Sequence, residues 1–123
     1  MCLRREYMNT LNRKEIEILI KDLPFFERKV LLKVLQIPLG EVRSYKWVAE
    51  SIGFPKCARR VGKALSKNPY PFLIPCHRVI RADGALGGYV LGVEIKRFLL
   101  DLEKRAKSAI IKHGSVQITK EAR

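Results

Sequence analysis

The chain has 123 residues, enough for one compact domain and too few for a second core of ordinary size. Apolar residues make up 47% of it and are interspersed with charge, which excludes wholesale disorder and allows a buried core. With 25 Lys and Arg against 12 Asp and Glu, the formal net charge is +13, more than folding requires and a sign of a polyanionic partner, nucleic acid first.

No apolar run approaches the roughly 20 residues of a membrane-spanning helix. The start, Met1-Cys2-Leu3-Arg4-Arg5-Glu6, lacks the apolar stretch of a secretory signal, so the expected location is cytoplasmic and no membrane partner is expected. Cys2, Cys57 and Cys76 are odd in number and lack paired metal-ligand spacing, so reduced thiols are expected rather than disulfides or a zinc site.

Residues 12–23 read as an amphipathic helix: Asn12 and Glu15 can form a capping box, and Ile16, Leu19, Ile20 and Leu23 share one face before Pro24. A second helix over 25–35 puts Phe26, Val30, Leu31 and Val34 on a core stripe, stopped by Pro38 and Gly40. Ser44 can cap a short helix carrying Val48, Ala49 and Ile52, ended by Gly53 and Pro55, and a further helix spans 56–67. Two short helices about a glycine-containing turn suggest helix-turn-helix. The second carries Lys56, Arg59, Arg60, Lys63 and Lys67 with no acidic residue, which suits a helix against phosphates, a solvated basic face being the plainer alternative.

From Asn68 to Ile80 three prolines forbid a long helix and stiffen the approach to Cys76. Asp83-Gly84 and Gly87-Gly88 supply turns, so short extended pieces or a small wing are expected around 79–89. The last helix spans 94–107 with Ile95, Phe98, Leu99 and Leu102 as its core stripe. A basic, weakly patterned tail over 108–123, expected to be partly disordered, follows. The fold class expected is mainly α, a winged helix-turn-helix-like three-helix DNA-binding bundle with short extended segments.

A thiol becomes a useful nucleophile as thiolate, which needs a base or positive charge nearby, and Cys76-His77-Arg78 offers both. On an extended segment adjacent side chains point opposite ways, so His77 would act through a water or a bend rather than by direct contact.

The run Ile74-Pro75-Cys76-His77-Arg78-Val79 resembles the active-site motif of the O6-alkylguanine-DNA alkyltransferases, the methylated-DNA-protein-cysteine methyltransferases. The resemblance extends from about Phe26 to Glu103 through Gly40-Glu41-Val42, Ser44-Tyr45, the Arg59 helix, Asn68-Pro69, Gly88-Tyr89 and Leu99-Leu100. It implies a catalytic and DNA-binding domain over 25–107, preceded by an extension over 1–24 with a short helix. It also implies repair of double-stranded DNA by single-turnover transfer of an alkyl group from O6-alkylguanine to Cys76, with no cofactor and no metal, by a monomer. In that reading His77 is the base through a bridging water, Glu103 orients it, Asn68 braces the loop, and Tyr45 hydrogen-bonds the flipped guanine. Arg59 enters the duplex in place of the extruded nucleotide, and Cys76, Val79, Tyr89 and Val90 line the guanine site. Ser44, Lys56, Arg60, Lys63 and Arg78 join Arg59 on the DNA-facing side, with the recognition helix in the minor groove. Taken singly, Tyr45 could cap a core, Glu103 could be solvated and Asn68 could punctuate a turn.

Two departures stand out. The large N-terminal domain of many relatives, with any zinc site in it, is expected to be absent. Arg60 and Val90-Leu91 replace smaller or more polar residues, which puts DNA docking and the shape of the alkyl pocket in question. The alternatives are an alkyltransferase-like protein that binds the lesion without transfer, whose members lack the acceptor cysteine, and an ordinary helix-turn-helix regulator, which leaves Pro75-Cys76-His77-Arg78 unexplained.

Overall fold

The computed structural model describes residues 12–121. Helix α1 (Arg13–Leu19) opens on the expected capping box, in which the Asn12 side chain accepts from Glu15 N and the Glu15 carboxylate accepts from Asn12 N, both at 2.9 Å. It buries Ile16, and Ile20 just beyond it, whereas Leu19, expected on the same face, is exposed. Helix α2 (Phe25–Val34) buries Phe26, Val30, Leu31 and Val34, the stripe expected of it.

Strand β1 (Arg43–Ser44) runs directly into α3 (Tyr45–Ser51), whose N-terminus is capped by Ser44 Oγ accepting from Trp47 N at 2.9 Å. The helix ends in a Schellman arrangement: Phe54 N donates to Ala49 O and Gly53 N to Glu50 O. Gly53 sits at φ +89°, a left-handed conformation that a side chain would strain. After this turn α4 (Ala58–Ser66) buries Val61, Ala64 and Leu65. Lys56 and Cys57, expected inside this helix, lie in the turn before it, and Lys67 is its C-cap. Helices α2, α3 and α4 pack on one another as the expected three-helix bundle, and α1 adds to it across α2.

The segment after α4 holds more structure than a loop. Cys76–Arg78 form one 3-10 turn, followed by strand β2 (Val79–Ile80). β2 pairs in parallel with β1, Arg43 opposite Val79 and Ser44 opposite Ile80. Two residues of pairing thus tie the start of α3 to the Cys76 turn across the whole helix-turn-helix. Beyond β2 the expected small wing is a turn closed by Arg81 N donating to Ala85 O, and β1 and β2 are the only strands among the described residues.

The last helix differs most from expectation. Helix α5 (Val93–Glu121) runs through the region read as a tail. Its inward face carries Lys96, Leu99, Leu100 and Glu103, while Ile95, Phe98 and Leu102 are 43%, 62% and 49% exposed. Both sets satisfy helical spacing, and the helix is turned so that its charged side chains, not its largest apolar ones, meet the Cys76 turn. We therefore expect Phe98→Ser to change stability by no more than about 0.5 kcal/mol. Leu31→Ala, in the bundle core, should cost about 2–5 kcal/mol. Urea unfolding monitored by circular dichroism measures both, and a multi-kcal loss at Phe98 would overturn the orientation of α5.

Candidate active site

A cleft of about 660 Å³ opens between the helix-turn-helix and the 82–90 segment, large enough for a purine base. Tyr45 from α3, Arg59 from α4, Cys76 from the 3-10 turn, and Tyr89 and Val90 from the following loop line it. Val79, expected beside them, is fully buried one residue past the turn, in β2. Gly87 makes one wall possible: at φ +73°, a Cβ there would lie 2.6 Å from the Tyr45 hydroxyl.

Cys76 and His77 are 4% and 2% exposed. They occupy a 3-10 turn rather than the extended segment read from the prolines. Asn68, 3% exposed, braces the approach: its Nδ2 donates to Ile74 O at 3.0 Å and its Oδ1 accepts from Tyr70 N at 2.9 Å. Burial pushes the Cys76 thiol above its ordinary pKa, against the lowering effects of Asn68 and of the Lys96 charge. The resting thiol is therefore neutral at physiological pH, and it could act as a nucleophile only if a base took its proton.

His77, the next residue, has a defined tautomer. His77 Nε2 lies 2.8 Å from Glu103 Oε2. Burial pulls the Glu103 pKa up, but hydrogen bonds from Arg78 and His77 outweigh it and hold the carboxyl below its ordinary value. An ionised carboxylate only accepts, so Nε2 carries the proton and Nδ1 is the free base. Burial lowers the His77 pKa, with Glu103 opposing, so the ring is neutral at pH 7.

Arg78, expected on the DNA-facing side, is turned into the protein. Its Nε and Nη2 donate to the two oxygens of Glu103 at 2.9 and 2.8 Å, and its Nη1 donates to Ile37 O at 2.7 Å. Its fork is occupied inside the protein, so it clamps the carboxylate.

Arg59, Arg60 and Lys63 project outward from α4, and Lys56 is exposed on the turn before it. Successive helical residues lie about 100° apart. Arg59 accordingly lines the cleft, while the Arg60 guanidinium stacks 4.1 Å over the Phe26 ring of α2. Ser44 is half-buried, its Oγ engaged as the α3 cap.

One residue escaped the sequence reading. Lys96 is fully buried, and its Nζ donates to the Tyr45 hydroxyl at 3.3 Å, to Gly88 O at 3.0 Å and to Leu86 O. All three ammonium protons are used, and burial lowers its pKa to about 8, against the pull of Cys76. Because Lys96 donates to the Tyr45 oxygen, the phenol proton must point elsewhere. Burial, then the neighbouring Cys76, raises the Tyr45 pKa and keeps that proton in place. A signal was available: Lys96 lies two helical turns before Glu103, so any orientation that brings Glu103 to the site brings Lys96 as well. Among the described residues no group of three or more His, Cys, Asp or Glu could hold a metal ion. No helix among them is long and apolar enough to cross a membrane.

Residues 25–105 match the family model of the 6-O-methylguanine DNA methyltransferase, DNA binding domain. The chain is 51% identical over 79 residues to a methylated-DNA--protein-cysteine methyltransferase of Methanosarcina barkeri, covering 64% of this chain and 50% of that protein. Among solved structures, Mycobacterium tuberculosis OGT in complex with DNA aligns at 49% identity and TM-score 0.66, over 67% of this chain and 51% of that one. S. pombe Atl1 in complex with damaged DNA containing O6-carboxymethylguanine aligns at 32% identity and TM-score 0.56, over 63% of this chain and 74% of that one. The chain spans about half the length of the curated relatives it matches. By its sequence, its bundle and its cysteine cleft, the chain belongs to the 6-O-methylguanine DNA methyltransferase family through that family's DNA-binding domain.

Proposed function

We propose that the chain repairs double-stranded DNA by moving an alkyl group from the O6 of guanine to Cys76, once per molecule. The observation that carries this reading is the placement of the buried Cys76 thiol on the wall of a base-sized cleft, with the His77–Glu103 pair behind it and Tyr45 beside it.

The thiol proton passes to His77, and the sulfur attacks the alkyl carbon. A carbon–sulfur bond forms as the carbon–O6 bond breaks, its electron pair staying on the guanine. The guanine takes up one proton from water as it leaves and the His77 imidazolium returns the thiol proton to water, so the protons balance, and the thioether product is permanent. Tyr45, its oxygen held by Lys96, offers its hydroxyl proton to the ring as negative charge develops there. A carbon inside stacked DNA is reachable only after the nucleotide is extruded, at roughly a few kcal/mol. Arg59, which lines the cleft, suits the vacated space, and the exposed Lys56 and Lys63, outside the cleft lining, suit phosphates. One molecule should act alone, without cofactor or metal.

The direct test is incubation with duplex DNA containing O6-methylguanine, followed by intact-mass and peptide mass spectrometry. One added methyl on Cys76 per protein is expected. Lesion binding without that methyl would favour a protein that binds the lesion without accepting the alkyl group. Arg59→Ala should slow repair in duplex DNA far more than reaction with a free O6-alkylated guanine base, and equal losses would remove Arg59 from the extrusion step. The Glu103→Gln variant addresses the base. Because His77 acts only when neutral, activity should persist at pH 6.5 and fall only as pH drops through its lowered pKa. Glu103 raises that pKa, so Glu103→Gln should move the acid limb to still lower pH and cut the plateau rate by about 100-fold or more. Single-turnover rates across pH 5–9 measure both effects, and an unchanged plateau would refute the role.

A further inference from the structure

Two polar side-chain atoms in the described protein are buried without a hydrogen-bond partner, and both belong to the site: His77 Nδ1 and the Tyr89 hydroxyl. Buried polar groups are nearly always satisfied, so a coincident pair needs a physical reason. The two rings face each other edge to face, centroids 6.2 Å apart at 76°. The chemistry of the two atoms is complementary. With Nε2–H committed to Glu103, Nδ1 can only accept, and the phenol has a proton to donate. The phenol keeps that proton throughout the working range, because burial, then Cys76 and Glu103, push its pKa up to about 12.

We propose that Tyr89 is a positioning residue of the proton relay: its hydroxyl anchors, opposite His77 Nδ1, the single water through which the Cys76 proton reaches the imidazole. The inference rests on the alkyl-transfer reading for its purpose, but not for its geometry. The water accepts from the Tyr89 O–H and donates one hydrogen to Nδ1. Its remaining lone pair is thereby directed at the Cys76 S–H. As sulfur attacks, the thiol proton moves to the water, and the water's own proton moves to Nδ1. No net charge is left on the water, and His77 becomes an imidazolium facing the Glu103 carboxylate. The titratable and charged groups around the pair are Cys76 and Arg78 of the turn, Glu103 and Lys96 of α5, and Tyr45 of α3. Without the phenol, the water has one fixed partner in place of two, and its orientation toward sulfur is lost.

Tyr89→Phe removes the hydroxyl and leaves the ring. Three measurements on the full chain separate the possibilities: the single-turnover rate with O6-methylguanine duplex, the affinity for that duplex in a Cys76→Ala background, and the pH profile of Cys76 modification by iodoacetamide. The proposal expects transfer slowed about tenfold, affinity within about twofold, and the thiol profile moved upward by about one pH unit. In a His77→Asn background, Tyr89→Phe should add nothing. A slower transfer with an unmoved thiol profile, or an equal effect with and without His77, would overturn the relay role and leave Tyr89 a pocket wall. The thiol profile does not depend on the nature of the substrate. Should the unmodified protein transfer no methyl group while Tyr89→Phe still shifts that profile, the functional reading fails and the relay stands.

Discussion

Glu103 is the point on which the site depends. Its two oxygens receive three hydrogen bonds from the side chains of His77 and Arg78, and Arg78 carries the link on to Ile37 O at the end of the bundle. One carboxylate thus joins α5, the 3-10 turn and the segment that follows α2. Taking such a charge out of water costs several kcal/mol, which good geometry at most offsets, so stability alone is a weak reason for it. Its effect is on specificity of state: it fixes the imidazole tautomer and prevents the ring from turning.

The charges around the thiol act in opposition. Burial favours the neutral thiol, while Asn68 and the Lys96 ammonium favour the thiolate, and burial prevails at rest. A neutral thiol in a closed wall is a poor target for casual oxidants, since the thiolate is the reactive form. In the proposed transfer the proton must leave at the moment the alkyl carbon is present, and a neutral imidazole whose proton affinity is raised by the Glu103 carboxylate behind it suits that step. Lys96 also holds the carbonyls of Leu86 and Gly88, so the same cation that biases the thiol closes the wall opposite it. Electrostatics and shape of the cleft are therefore not separable at this residue.

The bundle was legible in the sequence because its helices have one apolar face each. Phe26, Val30, Leu31 and Val34, the Asn12 and Ser44 caps, and the Gly53 turn each followed from local rules, and the structure places them as read. The site was legible as a set of residue types but not as an arrangement. Arg78 read as a surface cation because nothing local reveals a bidentate partner 25 residues away. Helix α5 misled for a related reason. Periodicity finds an apolar stripe at Ile95, Phe98 and Leu102, but burial of Lys96 and Glu103 on another face is decided by partners on the 3-10 turn, on α3 and in the 86–88 loop. The 3-10 turn was hidden by prolines that exclude a long helix without excluding a single turn.

The two arginines of α4 show how the fold assigns roles to neighbouring, chemically identical side chains. Adjacent positions on a helix cannot address the same surface, and β1–β2 pairing fixes which side of α4 the cleft occupies by locking Tyr45 beside the Cys76 turn. Arg59 falls on that side. Arg60 falls toward α2, where Phe26, itself edge-on to Phe54, offers a ring face for its guanidinium. A long cation there adds positive charge near the bundle surface without crowding the cleft, which is how this chain accommodates an arginine beside the one that faces the site.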